Sequence, residues 1–270
     1  MKQNLHAHST WDDGKNTPRE MILAAKAAGL DSIGLSLHSP LAYDNEWAAK
    51  AQDVGAYLEE MARLKREFAG EIAVYCGVEW DVESDVDLTA YDYVIGSVHH
   101  LPAEGLPTVD ESAQATRRFL EESFGGNADA AAQMFYAQYA RAAENPMVDI
   151  VGHFDLLTKF DERERFFNES SPAYREAAME AMGLLCRREK IFEVNTGAIS
   201  RGYRKTPYPS RCLLGALREM GGRATISADA HSIDGVACAY EQARELLLSC
   251  GFEEIWVLGE GGFAPCPLKA

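Results

Sequence analysis

No stretch of this 270-residue chain is apolar over the ~18–20 residues that a membrane span requires. No export signal is expected either, since the strand-like start already carries chemistry by His6. Its six cysteines, at 76, 186, 212, 238, 250 and 266, are dispersed and form no CxxC pair, which argues against a thiol zinc site or a disulfide framework. They read as reduced thiols of a cytoplasmic protein. Basic charge is scarce, with 26 Lys and Arg against 42 Asp and Glu and a net charge of −16. A sequence-independent nucleic-acid binder needs a basic face for phosphates, so that class is disfavoured. A small anionic substrate stays open, because bound divalent ions can reverse the sign of the potential inside one pocket. No low-complexity linker cuts the chain, and residues 1–270 are expected to form one domain.

What is present is an alternation. Hydrophobic residues make up 47% and charged residues 25% of the chain, enough apolar matter for one large core. Strand-like runs are expected at 3–8, 31–37, 71–78, 92–98, 148–152, 190–195, 224–228 and 254–258. Helix-like stretches lie near 17–28, 47–69, 127–144, 171–188, 209–219 and 234–249. Thr17-Pro18-Arg19-Glu20 is a helix start with a capping hydroxyl, proline in the first turn and glutamate at the third position. Ser171-Pro172 and Pro209-Ser210 open later helices in a similar way. Repeated β-then-α units predict a parallel sheet with helical crossovers, and seven or eight of them fit a closed or distorted barrel. The irregular stretches 38–46, 100–112 and 196–209 each follow a strand, where barrel enzymes place their chemistry. The segment after 258 reads as an irregular tail.

Six of the seven histidines fall at the ends of those apolar runs. His6 and His8 are separated by one residue on a strand, so both face one side, and Asp229 and His231 repeat the spacing. His38, His99 and His153 close other runs, and Glu79 ends Val74-Tyr75-Cys76-Gly77-Val78. Any one of these alone reads more readily as a hydrogen-bonded core or surface residue. Together, if the strands are parallel neighbours, they converge with Asp13 on one point. Imidazoles gathered with carboxylates are the donor set of a multinuclear metal site. A carboxylate such as Glu79 can bridge two ions; a neutral imidazole cannot.

His6-Ala-His8-Ser9 with Asp13-Gly14, then His38-Ser39-Pro40, Gly77-Val78-Glu79, Gly96-Ser97-Val98-His99, Gly152-His153-Phe154-Asp155 and Ser227-Ala228-Asp229-Ala230-His231-Ser232 resemble, in order, the motifs of the PHP (polymerase and histidinol phosphatase) family. Glu193-Val194-Asn195-Thr196 and Pro207-Tyr208-Pro209-Ser210 look most like its histidinol-phosphate phosphatase branch. The resemblance implies a distorted (β/α)7 TIM-like barrel with three divalent ions, zinc, iron or manganese, at the C-terminal ends of its strands. By the same resemblance His6, His8, Glu79 and Asp229 would hold the first ion, and Asp13, His38 and His231 the second. Glu79 would bridge to a third, held by His99 and His153. One departure stands out: the family usually has an acidic residue before the second-motif histidine, and here it is Leu37, which should remove an outer partner of His38.

The implied activity is hydrolysis of a phosphomonoester, with L-histidinol phosphate the first candidate. A water bridging two ions would be deprotonated to attack phosphorus, with Asp229 or His231 delivering a proton to the leaving alkoxide. Arg201 resembles the family's phosphate-contacting arginine, with Arg204, Lys205 and Lys159 as nearby alternatives. Asn195 would orient the pocket floor, and the spare histidine His100 reads as an outer or loop residue that could also touch substrate. Asp44, Trp47, Trp80 and Asp155 flank the motifs and could recognise the organic part of a substrate bearing an ammonium and an imidazole. A broader phosphoesterase acting on nucleotides or nucleic-acid ends is the alternative enzyme. A non-catalytic metal-binding module is the alternative of another class.

Overall fold

The computed structural model describes residues 1–43, 47–103 and 105–268. Seven strands lie side by side in chain order and all run parallel: β1 (Gln3–Asn4), β2 (Ser32–His38), β3 (Ala73–Asp81), β4 (Tyr93–Ser97), β5 (Ile150–Val151), β6 (Ile191–Asn195) and β7 (Arg223–Ser227). Just beyond β1 and β7 the curled sheet meets itself. His8 N donates to Ala230 O at 2.9 Å, and Ala230 N donates to His6 O at 3.1 Å. This is the expected (β/α)7 barrel, closed at its C-terminal rim by one reciprocal pair of backbone bonds.

The helices are α1 (Pro18–Ala27), α2 (Val54–Glu67), α3 (Ala113–Phe124), α4 (Ala128–Glu144), α5 (Asp161–Glu164), α6 (Pro172–Arg187), α7 (Gly197–Ser200), α8 (Arg211–Glu219) and α9 (Tyr240–Ser249). The Thr17–Glu20 capping box forms as anticipated, and Pro172 occupies the first turn of α6. Helix α2 starts later than position 47, after a 3-10 turn at Ala51–Asp53, and α9 starts at Tyr240 after another turn at Ile233–Gly235. Helix α3 was not anticipated; it is capped by Ser112 and stopped by Gly125 at φ 57°. None of the described helices is long and apolar enough to cross a membrane.

Alternation along each strand divides the core in two. One set of strand residues, such as Ile33, Leu35 and Val94, packs outward beneath the helices in the larger cluster. The other set points down the barrel axis, where Leu5, Tyr93, Ile95, Ile150 and Ile191 form a smaller cluster. Tyr93 fills this interior. A Cβ at Gly34 would stand 2.2 Å from its Oη and one at Gly77 2.1 Å from its Cζ, so both strands need glycine where the ring crosses them.

The run at 254–258 is a strand, but not a barrel strand. β8 (Glu254–Gly259) pairs antiparallel with β9 (Gly262–Pro267), so the segment expected to be an irregular tail is the second arm of a hairpin. The hairpin seals the N-terminal end of the barrel. Leu258 joins the interior cluster, its carbonyl accepts from Gln3 Nε2 at 3.0 Å, and its N–H donates to Gln3 Oε1 at 2.8 Å.

Candidate metal centre

Six of the seven strand ends at the opposite rim deliver side chains to one cluster; β6 ends on Asn195 and does not. His6 and His8 follow β1, and Asp13 sits on the turn beyond them. His38 ends β2, in register with Glu79 on β3. His99 and His153 follow β4 and β5, and Asp229 and His231 follow β7. The structure therefore brings all nine predicted ligand side chains to one place. Among the described residues, four sets offer ligand atoms within 4.8 Å of one another: His8, Asp13, His38 and His231; His6, His8 and Glu79; His6, His153 and Asp229; His38, Glu79 and His99. The first contains the whole second-ion set plus His8. The second lies within the implied first-ion set; His6, His153 and Asp229 span the first- and third-ion sets, and His38, Glu79 and His99 span the second and third.

Glu79 is buried and both its oxygens are engaged. Oε2 lies 3.1 Å from His6 Nε2, 2.9 Å from His38 Nδ1 and 3.5 Å from His8 Nε2. Oε1 lies 2.9 Å from His153 Nε2 and 3.3 Å from His99 Nε2, and accepts from Ser97 Oγ at 2.7 Å. Asp229 Oδ1 faces His8 Nε2 at 3.5 Å, and Asp13 Oδ2 faces His231 Nε2 at 3.2 Å.

The donor set can be tested against divalent ions on its own bonding. His6 Nε2, His8 Nε2, His38 Nδ1 and Glu79 Oε2 are buried and make no hydrogen bond, although they face one another. Buried polar atoms left in that state are costly unless a cation lies between them. The far nitrogens, in contrast, are satisfied: His6 Nδ1 by Glu193 at 2.9 Å, His8 Nδ1 by Asp12 at 2.9 Å and His99 Nδ1 by Asp81 at 3.1 Å. A carboxylate behind the ring and a bare nitrogen in front is how proteins orient metal-binding histidine. The residues fit divalent ions.

Electrostatics agree. Burial disfavours charge on His8, yet Asp12, Asp229 and Glu79 push its ring up to about 10. His6 and His99 are likewise raised, against burial, by Glu193 and Glu79 and by Glu79 and Asp81 respectively. Burial would raise Glu79 and Asp229, but the surrounding imidazoles, and Arg201 beside Asp229, hold both well below the usual carboxylate range. The carboxylates stay ionised and positive charge is demanded among them. Asp229 sits at φ 45°, a conformation unusual without glycine, with Arg201 Nη2 donating to its Oδ2 at 3.0 Å. A Cβ at Gly197 would lie 2.7 Å from that same oxygen.

A cavity of about 440 Å³ opens over the cluster. Arg201 and Lys159 line it, and Trp47, Tyr203, Thr108, Asp110 and Glu111 form its wall. Lys159 Nζ donates to Asp110 Oδ2 at 2.9 Å, and that carboxyl is lowered to about 2 by Lys159, His99 and His153 against its burial.

Other candidates sit elsewhere. His100 stacks behind Trp47, with Nδ1 3.0 Å from Tyr43 Oη, and does not line the cavity. Asn195 is buried beneath it, bonded to Glu193 and Gly197. Arg204 is committed to the carbonyls of Thr158 and Thr206 and packs over Tyr208. Trp80 donates to Ser84 O at 3.0 Å and belongs to the core, and Asp155 accepts from Ser210 N at 2.9 Å. Asp44 lies outside the described residues. Leu37 packs into the core; the His38 ring meets Glu79 through Nδ1 at 2.9 Å and Asp13 through Nε2 at 3.6 Å, and Asp12 Oδ2 accepts from the His38 backbone N–H at 3.0 Å. Sequence reasoning missed Asp12 and Asp81, and quoted Glu193 within a motif without giving it a role. The one available signal was Glu193 itself, a charge inside the apolar run Ile191-Phe192-Glu193-Val194.

A parallel barrel whose strand ends converge on a carboxylate-centred histidine cluster defines a metal-dependent hydrolase. Residues 4–197 match the PHP domain. A Deinococcus radiodurans protein named "Probable histidinol-phosphatase" is 30% identical over 248 residues, covering 87% of this chain and 88% of that protein. The chain belongs to the PHP family. Two solved structures share the fold. One is a Listeria monocytogenes protein whose description as a histidinol phosphatase is provisional, with TM-score 0.77, 18% identity, and 89% and 99% of the two chains covered. The other is the Lactococcus lactis histidinol phosphate phosphatase complexed with zinc, L-histidinol and phosphate, with TM-score 0.73, 21% identity, and 97% and 98% covered. Asp229 and His231 lie beyond the matched PHP span, so β7 completes the cluster from outside it.

Proposed function

We propose that residues 1–270 act as one PHP-type phosphomonoesterase in the cytoplasm that converts L-histidinol phosphate and water to L-histidinol and phosphate. The observation that carries this reading is one cavity lined by both the histidine–carboxylate cluster and two cations, Arg201 and Lys159. The relative from Deinococcus radiodurans and the Lactococcus lactis complex support the choice of ester. The six cysteines, none of them paired, support the compartment.

His6, His8, Glu79 and Asp229, then Asp13, His38 and His231, then His99 and His153 with Glu79, would hold three divalent ions, zinc, manganese or iron. When bound, such ions acidify water and neutralise charge on the phosphoryl oxygens. Arg201 and Lys159 stand at the mouth of the cluster to hold those oxygens, each resting meanwhile on a carboxylate. Asp229 and His231, both lining the cavity, are the two candidates for delivering a proton to the leaving alkoxide. Trp47, Asp110 and Glu111 supply the aromatic and acidic wall that an imidazole and an ammonium require.

The test is phosphate release from L-histidinol phosphate by zinc- or manganese-loaded protein, beside a 5′-nucleotide and an aryl phosphate. The expected kcat/KM is about 10⁴ M⁻¹s⁻¹ or more for histidinol phosphate and well below that for the others. Equal turnover of all three would remove the substrate and leave the chemistry.

A further inference from the structure

Three buried carboxylates stand behind the imidazoles rather than among them, and Glu193 is the most constrained. It lies on β6 with its side chain in the barrel interior, fully buried. Its Oε1 accepts from the backbone N–H of His153 at 2.6 Å and from Asn195 Nδ2 at 2.8 Å. Neither donor can invert. A backbone N–H has no alternative, and Asn195 is locked because its Oδ1 accepts from Gly197 N at 2.8 Å. The other oxygen, Oε2, faces His6 Nδ1 at 2.9 Å. A carboxylate only accepts, so Nδ1 carries a ring proton, which leaves Nε2 as the nitrogen able to offer a lone pair to a cation. That atom lies 3.1 Å from Glu79 Oε2 with no hydrogen bond.

We propose that Glu193 is a positioning residue that fixes His6 in the Nδ1–H tautomer, so that Nε2 is ready to take a divalent ion beside His8 and Glu79. Through the backbone of His153, the same carboxylate ties that choice to the placement of the loop after β5. The inference rests on reading the cluster as a metal centre and is independent of the substrate.

Glu193→Gln separates this role from simple packing. The amide keeps the shape but has one oxygen, which must stay with His153 N–H and Asn195. Its NH₂ then faces His6 Nδ1 and turns that nitrogen into an acceptor, moving the ring proton to Nε2 and aiming it at the cluster. Zinc affinity of the variant, measured by competition with a chromophoric chelator, is expected to fall about 10- to 100-fold, the usual cost of losing such a partner. Thermal melting of the metal-free variant checks that the fold is intact. In ¹⁵N-histidine spectra of the zinc-loaded wild type, the remaining ring proton of His6 is expected on Nδ1. That measurement decides the matter even if the variant does not fold. A proton found on Nε2, or a folded variant whose zinc affinity is within twofold of wild type, would overturn the proposal. Absence of zinc binding by wild type would instead sink the metal reading.

Discussion

Gly77 and Glu79 are two residues apart on β3 and both face the barrel interior, yet they belong to different worlds. Gly77 faces the ring of Tyr93 in the apolar plug, while Glu79 sits among five imidazoles. The barrel thus changes character within about 7 Å of strand, the length of two residues. Below that line the interior is filled by Tyr93, Ile95, Ile150 and Ile191 and capped by Leu258. Above it the interior gathers imidazoles and carboxylates that could hold a metal ion. The lower half supplies a rigid frame, and the upper half carries charges that only a rigid frame can keep close together.

The contrast is breakable by substitution. Glu79→Gln should have the largest effect: activity should fall by more than about 100-fold, beyond the cost of an outer partner alone, with loss of bound metal measured by elemental analysis. Its thermal stability without metal should change far less. Gly77→Ala should do the reverse. A Cβ driven into Tyr93 overpacks the plug at a cost of about 1–3 kcal/mol in denaturant unfolding, while kcat of the folded, loaded enzyme stays near wild type. If metal content fell in step with stability, the two halves would be one unit and the division would fail.

Arg201→Lys sharpens the rim. A point charge cannot reproduce the fork that meets Asp229 through both terminal nitrogens, so KM for the phosphate ester should rise about tenfold with a smaller change in kcat. An unchanged KM would remove Arg201 from phosphate binding.

The smallest effect concerns pH. Burial raises Asp161 to about 6, against the backbone N–H groups of Phe166 and Phe167 that its carboxylate accepts and against Arg204. A raised carboxyl favours the fold when protonated, so its contribution is complete below the unfolded value near 3.8 and is lost as pH rises through about 6. Asp161→Asn is neutral throughout. Its melting temperature relative to wild type should therefore climb between pH 4 and pH 7, and a flat difference would disprove the shift.

Much of the upper half was legible because its chemistry needs particular residue types at strand ends. His6, His8, Asp229 and His231 announce themselves by i, i+2 spacing after apolar runs. The outer carboxylates were hidden for a physical reason: an aspartate beside a turn, such as Asp12 or Asp81, looks like solvated surface until the fold buries it. Glu193 was exposed to view, yet its meaning depends on His6, which is 187 positions away. His100 and Arg204 misled because nearness in sequence to a motif says little about which side of a loop a side chain takes. The hairpin at the other end was masked by its composition. Pro265 and Pro267 are tolerated in β9 because it pairs only with β8, an edge position that periodicity does not flag.

The plug has one more consequence, for traffic. Tyr93 across the axis and the hairpin beneath it fill the barrel below the cluster, and the cavity lies on the rim side. Substrate and products of the proposed reaction would share that rim, and phosphate held by Arg201 and Lys159 would block the next arrival. Turnover in a solution rich in inorganic phosphate should slow as though substrate had been diluted, and recover when more ester is supplied.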